Sequence, residues 1–317
     1  MLALYLNDKL ELRDLPRPEP QPGEVLIRVR LAGVCRTDLE VLQGYHGFRG
    51  VPGHEFVGQV VAPEDSSWLN RRVVGEINLA CGQCLRCRQG LAHHCQQRQV
   101  LGMKGRNGTF AQYLTLPAAN LHSVPEEVAD DAAVFTEPLA AALQVLETAA
   151  FSPDSRVLVV GDGSLGLQIS WILALHGAEV HLVGRYPEHL ELAGAYGVST
   201  YLEPEMTQKD FDVVVEASGS PSGLELALAR VRPRGAVVLK STYSGGYPLN
   251  TADLVVPEVR LLGSRCGPFP AALRLLQKDW IDPRPLIYRR YPLAQGLEAL
   301  AYAQEKGVLK VLLECGE

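Results

Sequence analysis

Seven cysteines are unevenly spread along the chain, and four of them, Cys81, Cys84, Cys87 and Cys95, fall within fifteen positions. Two x2 spacings followed by an x7 spacing bring four thiolates close enough to wrap one tetrahedral zinc, with no position left for water or substrate. Such a site is structural, and Gly82 and Gly90 supply the tight bends that a small metal loop needs. A second signal is Cys35, nineteen residues before the pair His54-Glu55 in Gly53-His54-Glu55-x2-Gly58-x-Val60. A cysteine, a histidine and a carboxylate from separate segments suit a catalytic zinc, which keeps one coordination position open. Taken singly, each residue is ambiguous: a lone cysteine is more often a small buried hydrophobe, and a lone His-Glu pair more often sits on the surface. Glu137, in Thr136-Glu137-Pro138-Leu139, is an acid within an apolar stretch. Burying it unpaired would be costly, so it requires a partner, and a metal would serve.

A third signal is Gly161-x-Gly163-x2-Gly166, set between the apolar run Arg156 to Val160 and a helical pattern. Alone, GxGxxG is weak. In this strand-turn-helix frame it is a dinucleotide fingerprint, in which Gly161, Gly163, Ser164, Leu165 and Gly166 cradle a pyrophosphate on a helix N-terminus.

Two kinds of element must position these residues. Up to about residue 130 the chain reads as short strands: Met1 to Leu6, Glu24 to Arg30 with period-two alternation, Phe56 to Val61, Arg72 to Val74 and Phe110 to Leu116. Asp130 to Ala150 is rich in alanine and leucine and predicts helices broken at Pro138. From Arg156 the order becomes strand, glycine turn, helix, strand, which is one complete βαβ unit. Phe211 to Glu216, Ala236 to Lys240 and Val259 to Gly263 continue the series and imply a parallel sheet. Helices are expected at Phe269 to Gln277 and around Ala294 to Glu305, with a last strand at Gly307 to Leu313.

Bulk properties bound the function. At 317 residues the chain exceeds one comfortable core, which stops growing near ~250 to 300 residues, so two domains are expected. A hydrophobic fraction of 47% and a charged fraction of 21% are those of a chain that folds. A formal net charge of -6 provides no basic field for phosphate backbones, which argues against a nucleic-acid partner. Polar residues such as Glu137, Gln168 and His176 interrupt the longest apolar runs, so no membrane span of ~20 residues is expected. Met1 to Leu6 lacks a basic leader and reads as a strand and not an export signal. The cysteine distribution suits metal binding in a reducing compartment, hence a cytoplasmic location.

In combination the motifs resemble the zinc-containing medium-chain dehydrogenase/reductase superfamily, with its alcohol, sorbitol, threonine and glucose dehydrogenases, over essentially the whole chain. Gly53-His54-Glu55 matches its GHE motif, Cys35-Arg36-Thr37-Asp38 its CxTD, Glu137-Pro138 its Glu-Pro, and the four-cysteine lobe matches intact. The resemblance implies an α/β fold: a GroES-like, β-rich catalytic domain at 1–138, with the structural zinc lobe at 81–95. A Rossmann domain, a doubly wound parallel sheet, is implied at 139–263, with a return to the catalytic domain at 264–317. It implies a catalytic zinc on Cys35, His54 and an acid, either Glu55 or Glu137, and a structural zinc on the four clustered cysteines. Glu137 falls where yeast and liver-type alcohol dehydrogenases place a cysteine, which puts the chain nearer the polyol, threonine and sugar branch. The implied activity is hydride transfer between an alcohol, polyol or sugar hydroxyl, or the matching carbonyl, and NAD(P), with zinc acidifying the alcohol. Thr37 would start a proton relay to solvent. Many relatives carry a histidine three residues later; this chain has Glu40, which leaves Glu40, His46 or water as the next member. Homodimers or homotetramers are the expected assembly. A non-catalytic NADPH-binding or regulatory protein on the same fold is the alternative, and retention of every candidate ligand counts against it.

For cofactor choice, NAD-preferring relatives place an acid at the end of the second Rossmann strand. Here that position reads Leu182-Val183-Gly184-Arg185. With no carboxylate and a guanidinium able to hold a 2'-phosphate, NADP is expected over NAD. Loops at Gln43 to Arg49, Gly102 to Gly108 and Arg265 to Phe269 are expected to wall the substrate pocket, with Lys104, Arg106 and Arg265 favouring a charged or hydroxyl-rich substrate.

Overall fold

The computed structural model describes residues 1–44, 47–242 and 247–316; His46 lies outside them. The chain divides into two compact units, residues 1–137 with 272–317, and residues 138–271.

The first unit is built around one long strand. β1 (Leu2–Leu6) and β2 (Leu10–Asp14) form an antiparallel hairpin, and the segment after Pro16 delivers the chain into β3 (Glu24–Val34). β3 is the hub of a sheet completed by β4 (Glu55–Ala62), β5 (Arg72–Gly75), β9 (Tyr113–Pro117) and β10 (Leu121–Ser123). The tail adds β17 (Ile287–Pro292) and β18 (Lys310–Glu314), giving the order β10-β5-β4-β3-β18-β17 with β9 also on β3. Val25, Leu26, Ile27 and Val29 of β3 are buried, and each such side chain contributes about 1.5–3 kcal/mol. A small sheet of β6 (Asn78–Leu79), β7 (Gln99–Leu101) and β8 (Gly105–Arg106) flanks the cysteine loop, which carries the short helix α2 (Leu85–Arg88). α1 (Arg36–Leu42) follows β3 directly, α3 (Asp130–Ala133) precedes α4 (Thr136–Thr148), and α9 (Phe269–Gln277) and α10 (Gly296–Tyr302) lie in the tail.

The second unit is a six-stranded parallel sheet in the order β13-β12-β11-β14-β15-β16. Its strands are β11 (Arg156–Val160), β12 (Glu179–Gly184), β13 (Ser199–Leu202), β14 (Phe211–Glu216), β15 (Val231–Leu239) and β16 (Arg260–Gly263). The crossovers are α5 (Ser164–Leu175), α6 (Pro187–Gly194), α7 (Pro221–Arg230) and α8 (Ala252–Val255). Counted from β11 the order is 3-2-1-4-5-6, the doubly wound Rossmann arrangement, whose direction reverses beside β11. Val157 to Val160 and Val213 to Glu216 are buried without alternation, because a parallel sheet is covered on both faces.

Three expectations change. Pro138 does not break the helix: it is the third residue of α4, where its missing N–H costs no intrahelical bond, and the break falls at Val134 and Phe135. The chain stays with the second unit beyond 263, to Ala271, where Ser264 joins Thr148 by a 3.0 Å hydroxyl bond. The strand expected from Phe110 starts only at Tyr113. Among the described residues no helix is long and apolar enough to cross a membrane.

Candidate active site

The junction of β3, α1 and β4 gathers three of the expected ligands. Cys35 is the N-cap residue of α1, one step beyond the end of β3, and His54-Glu55 stands at the start of β4. The ligand atoms of Cys35, His54 and Glu55 all lie within 4.8 Å of one another. Strand register explains it: Gly33 of β3 is paired with Glu55, so the carboxylate lies across the backbone just before Cys35. A Cβ on Gly33 would collide with Glu55 Oε2, and only glycine leaves room for it.

Two residues unassigned at the sequence level hold this group. Asp38, fully buried on the first turn of α1, accepts the Cys35 amide on Oδ2 at 2.9 Å and meets His54 Nδ1 on Oδ1 at 2.8 Å. One carboxylate thus orients both ligands and leaves His54 Nε2 to face Cys35, the arrangement by which carboxylates fix metal-binding imidazoles. Burial alone would lower the His54 pKa, but the charge and hydrogen bond of Asp38 outweigh it and hold the imidazole well above its ordinary value. Lys310, the first residue of β18, donates to Glu55 Oε2 at 2.5 Å with both side chains buried, and its ammonium lies 5.5 Å from the centre of the Phe135 ring. The other oxygen, Glu55 Oε1, is buried with no hydrogen-bond partner. An ionised oxygen left this way is expensive, and a cation beside it removes the cost. The group therefore fits a zinc ion.

Glu137, on the first turn of α4 and half-buried, is not in this group among the described residues. Thr37 sits half-buried on the first turn of α1. Glu40, on the same helix, has its carboxyl pKa raised by burial, with Arg36 opposing. Arg106, expected beside the substrate, is committed to Glu24 at 2.8 Å and to the Thr115 hydroxyl at 2.7 Å.

The four clustered cysteines form the second metal-capable group. Their Sγ–Sγ separations are 3.4 Å (Cys84–Cys87), 3.5 Å (Cys81–Cys95), 3.8 Å (Cys84–Cys95) and 4.0 Å (Cys81–Cys87). Zinc–sulfur bonds of about 2.3 Å in a tetrahedron require edges of about 3.8 Å. Amides of Cys81 and Gln97 donate to Cys95 Sγ at 3.3 Å each. Amides of Gln96 and Cys87 push the Cys84 thiol down to about 6, while desolvation and then the neighbouring thiols push Cys87 up to about 12. Four thiolates cannot ionise in one small volume without a cation among them, and the loop fits zinc on that ground.

In the second unit the glycine loop joins β11 to α5. Gly161 has φ +112°, and a Cβ there would lie 2.7 Å from Ser218 Cα; a Cβ on Gly166 would run into the Gly161 carbonyl. A Cβ on Gly163 would meet nothing within 4 Å, and α5 begins at Ser164 with Gly163 as a cap that offers no side chain to the first amides. Close backbone packing below and bare helix amides above fit a dinucleotide pyrophosphate. At the end of β12, Arg185 pairs with Glu203 at 2.9 Å on the surface, and the amides of Arg185 and Tyr186 both donate to Asp162 Oδ2 at 2.8 Å.

Comparison with known proteins gives a consistent picture. The alcohol dehydrogenase GroES-like domain matches residues 21–126, and the zinc-binding dehydrogenase domain matches residues 164–278. An erythritol/L-threitol dehydrogenase of Mycolicibacterium smegmatis is 30% identical, covering 93% of this chain and 92% of its own. An Escherichia coli alcohol dehydrogenase solved with NADH superimposes with TM-score 0.90 at 27% identity, over 99% of each chain. A Sinorhizobium meliloti protein described as a zinc-binding dehydrogenase, solved with NADP, gives TM-score 0.90 at 26% identity, over 99% of this chain and 98% of the other.

Proposed function

The chain belongs to the zinc-containing medium-chain dehydrogenases, and from that membership we propose that it exchanges a hydride between a polyol or secondary-alcohol carbon and a nicotinamide dinucleotide, using a zinc held by Cys35, His54 and Glu55. The observation that carries the reading is the Cys35, His54 and Glu55 group with its buried, unpartnered Glu55 Oε1. A zinc bound there supplies a Lewis acid that lowers the pKa of an alcohol. Asp38 keeps the His54 ring and the Cys35 amide fixed, so the donors need no rearrangement to receive the ion. Lys310 neutralises one Glu55 oxygen and so limits the carboxylate to one donor oxygen. We assign Thr37 as first acceptor of the hydroxyl proton, with Glu40 of the same helix, His46 or water as the next member outward. The four-cysteine loop holds a second, structural zinc, and the glycine loop holds the pyrophosphate.

Polyols are favoured as the substrate class by the likeness to the erythritol/L-threitol dehydrogenase and by an acid, Glu137, where alcohol dehydrogenases of the yeast and liver type have cysteine. The expectation of NADP rests on Arg185, whose guanidinium is paired with Glu203. A cytoplasmic homodimer or homotetramer remains our reading of location and assembly. The test is a zinc determination together with a screen of alcohols, polyols and sugars against both NAD and NADP. Two zincs per chain and turnover of a polyol are expected. A chain that binds dinucleotide yet converts nothing and holds no zinc at Cys35 would overturn the reading in favour of a regulatory protein.

A further inference from the structure

The end of β12 carries an acid that the strand itself lacks. Rossmann folds that prefer NAD grip the adenosine ribose hydroxyls with a carboxylate at this point, and here the residue is Gly184. A Cβ built on Gly184 would lie 2.5 Å from Asp162 Cβ and Cγ and 2.6 Å from Asp162 Oδ2. The Asp162 side chain, rising from the glycine loop, therefore occupies the volume that a side chain at 184 would enter. Its Oδ2 accepts the amides of Arg185 and Tyr186, and His189 Nδ1 stands 3.6 Å away. The residue is buried, yet its pKa is lowered: burial works against ionisation, and His189 with the two amides outweighs it. The charge is thus permanent at neutral pH.

Two consequences follow for a nucleotide at this strand end. The amides most able to receive a 2'-phosphate are already bonded to a carboxylate. The guanidinium that follows the strand, Arg185, is paired with Glu203, so the three charged groups Asp162, Arg185 and Glu203 sum to a net charge of minus one. A carboxylate has about four lone-pair sites, so bonds from two amides leave capacity for a ribose hydroxyl.

Resting on the reading that this unit binds a nicotinamide dinucleotide, we propose that Asp162 is its specificity-determining residue and that the preferred cofactor is NAD(H), reversing the expectation drawn from Arg185. Asp162 supplies from the glycine loop the acid that Gly184 omits, accepts a hydrogen bond from the ribose, and repels the 2'-phosphate of NADP(H).

The experiment is calorimetric binding of NAD+ and NADP+, and of 5'-AMP and 2',5'-ADP, to the zinc-loaded protein and its Asp162→Asn variant. The wild type is expected to bind NAD+ at least about tenfold more tightly than NADP+, the factor that 1.4 kcal/mol makes. Asp162→Asn keeps an acceptor for the β12–α6 amides and removes the charge, so it is expected to tighten 2',5'-ADP while weakening or sparing 5'-AMP. Wild-type protein that binds NADP+ as tightly as NAD+ overturns the proposal and leaves the dinucleotide reading standing. A variant that weakens 5'-AMP and 2',5'-ADP by one common factor also overturns it, since that is the behaviour of a loosened turn. Failure of the wild type to bind either dinucleotide removes both readings together.

Discussion

Replacing Lys310 by methionine tests the buried ion pair behind the metal group most directly. Methionine keeps the length and apolar stem of lysine and removes only the ammonium, which sits 2.5 Å from Glu55 Oε2. Both side chains are almost wholly inaccessible, at 3% and 1% exposure, so solvent does not screen the loss. Removing one partner of such a pair strands the other charge in a medium that solvates it poorly, at a cost of about 3–5 kcal/mol. For a unit of this size, 1 kcal/mol moves the melting temperature by about 2–4 °C, so the variant is expected to melt roughly 6–20 °C lower. The companion variant Glu55→Gln strands the ammonium and should lose a comparable amount. The decisive measurement is the double variant Lys310→Met, Glu55→Gln, which leaves no isolated charge. By calorimetry in excess chelator, where no cation compensates Glu55 and the loss of a ligand costs no zinc binding, it should recover much of the summed single losses, a non-additivity of at least about 1 kcal/mol. Additive losses, or a Lys310→Met melting point within 1 °C of wild type, would refute the reasoning.

Three further outcomes follow from the same geometry. Asp38→Asn should weaken zinc at the Cys35 site about 10- to 100-fold in a chelator competition while leaving the four-cysteine zinc in place, because the amide loses the charge and has one acceptor oxygen where the carboxylate holds the Cys35 amide and His54 Nδ1 with two; equal loss of both ions would contradict the assignment. Cys84→Ser should lower the zinc content by one per chain and expose the 81–95 loop to proteolysis, since the ion is what draws its four sulfurs together; unchanged zinc content would count against a structural site. Glu76 accepts from His122 at 3.0 Å and meets His93 at 3.4 Å, and these contacts hold its carboxyl down to about 2 against an ordinary value near 4.5. Its folded pKa is depressed, so its contribution is complete above pH 4.5 and disappears as pH falls toward 2. The difference in melting temperature between wild type and Glu76→Gln should therefore be larger at pH 6 than at pH 3, and a constant difference would exclude the pairing.

What the sequence made legible was local. The cysteine loop and the glycine fingerprint lie within short windows, and spacing alone brings their atoms together. The Cys35, His54 and Glu55 group is partly local: the residue types were evident, but choosing Glu55 over Glu137 requires knowing that Gly33 and Glu55 pair across β3 and β4. Lys310 was invisible because it reaches Glu55 across 255 positions of chain. Its signal was a lone lysine in the apolar run Val308 to Leu313, a place where an unpaired ammonium is not tolerated. Asp38 lay inside a motif already singled out and went unassigned, since nothing in one dimension says that it faces His54. Asp162 occupied a variable position of the fingerprint, and only the closeness of Gly184 gives it meaning. Pro138 misled because a proline pattern does not reveal whether it falls in the first turn or the interior of a helix.

The tail strand β18 carries a temporal consequence. It inserts between β3 and β17, and it brings Lys310 to Glu55. Every strand of the parallel sheet precedes β18 in the chain, so it is made while β3, already flanked by β4 and β9, still lacks this neighbour. Because domains generally complete folding as units, the half with the parallel sheet can form without β18, whereas the half with the Cys35 group keeps an open strand edge and an uncompensated Glu55 until β18 is made. Removal of β18 is accordingly expected to lose metal binding at the Cys35 group before it harms the parallel sheet.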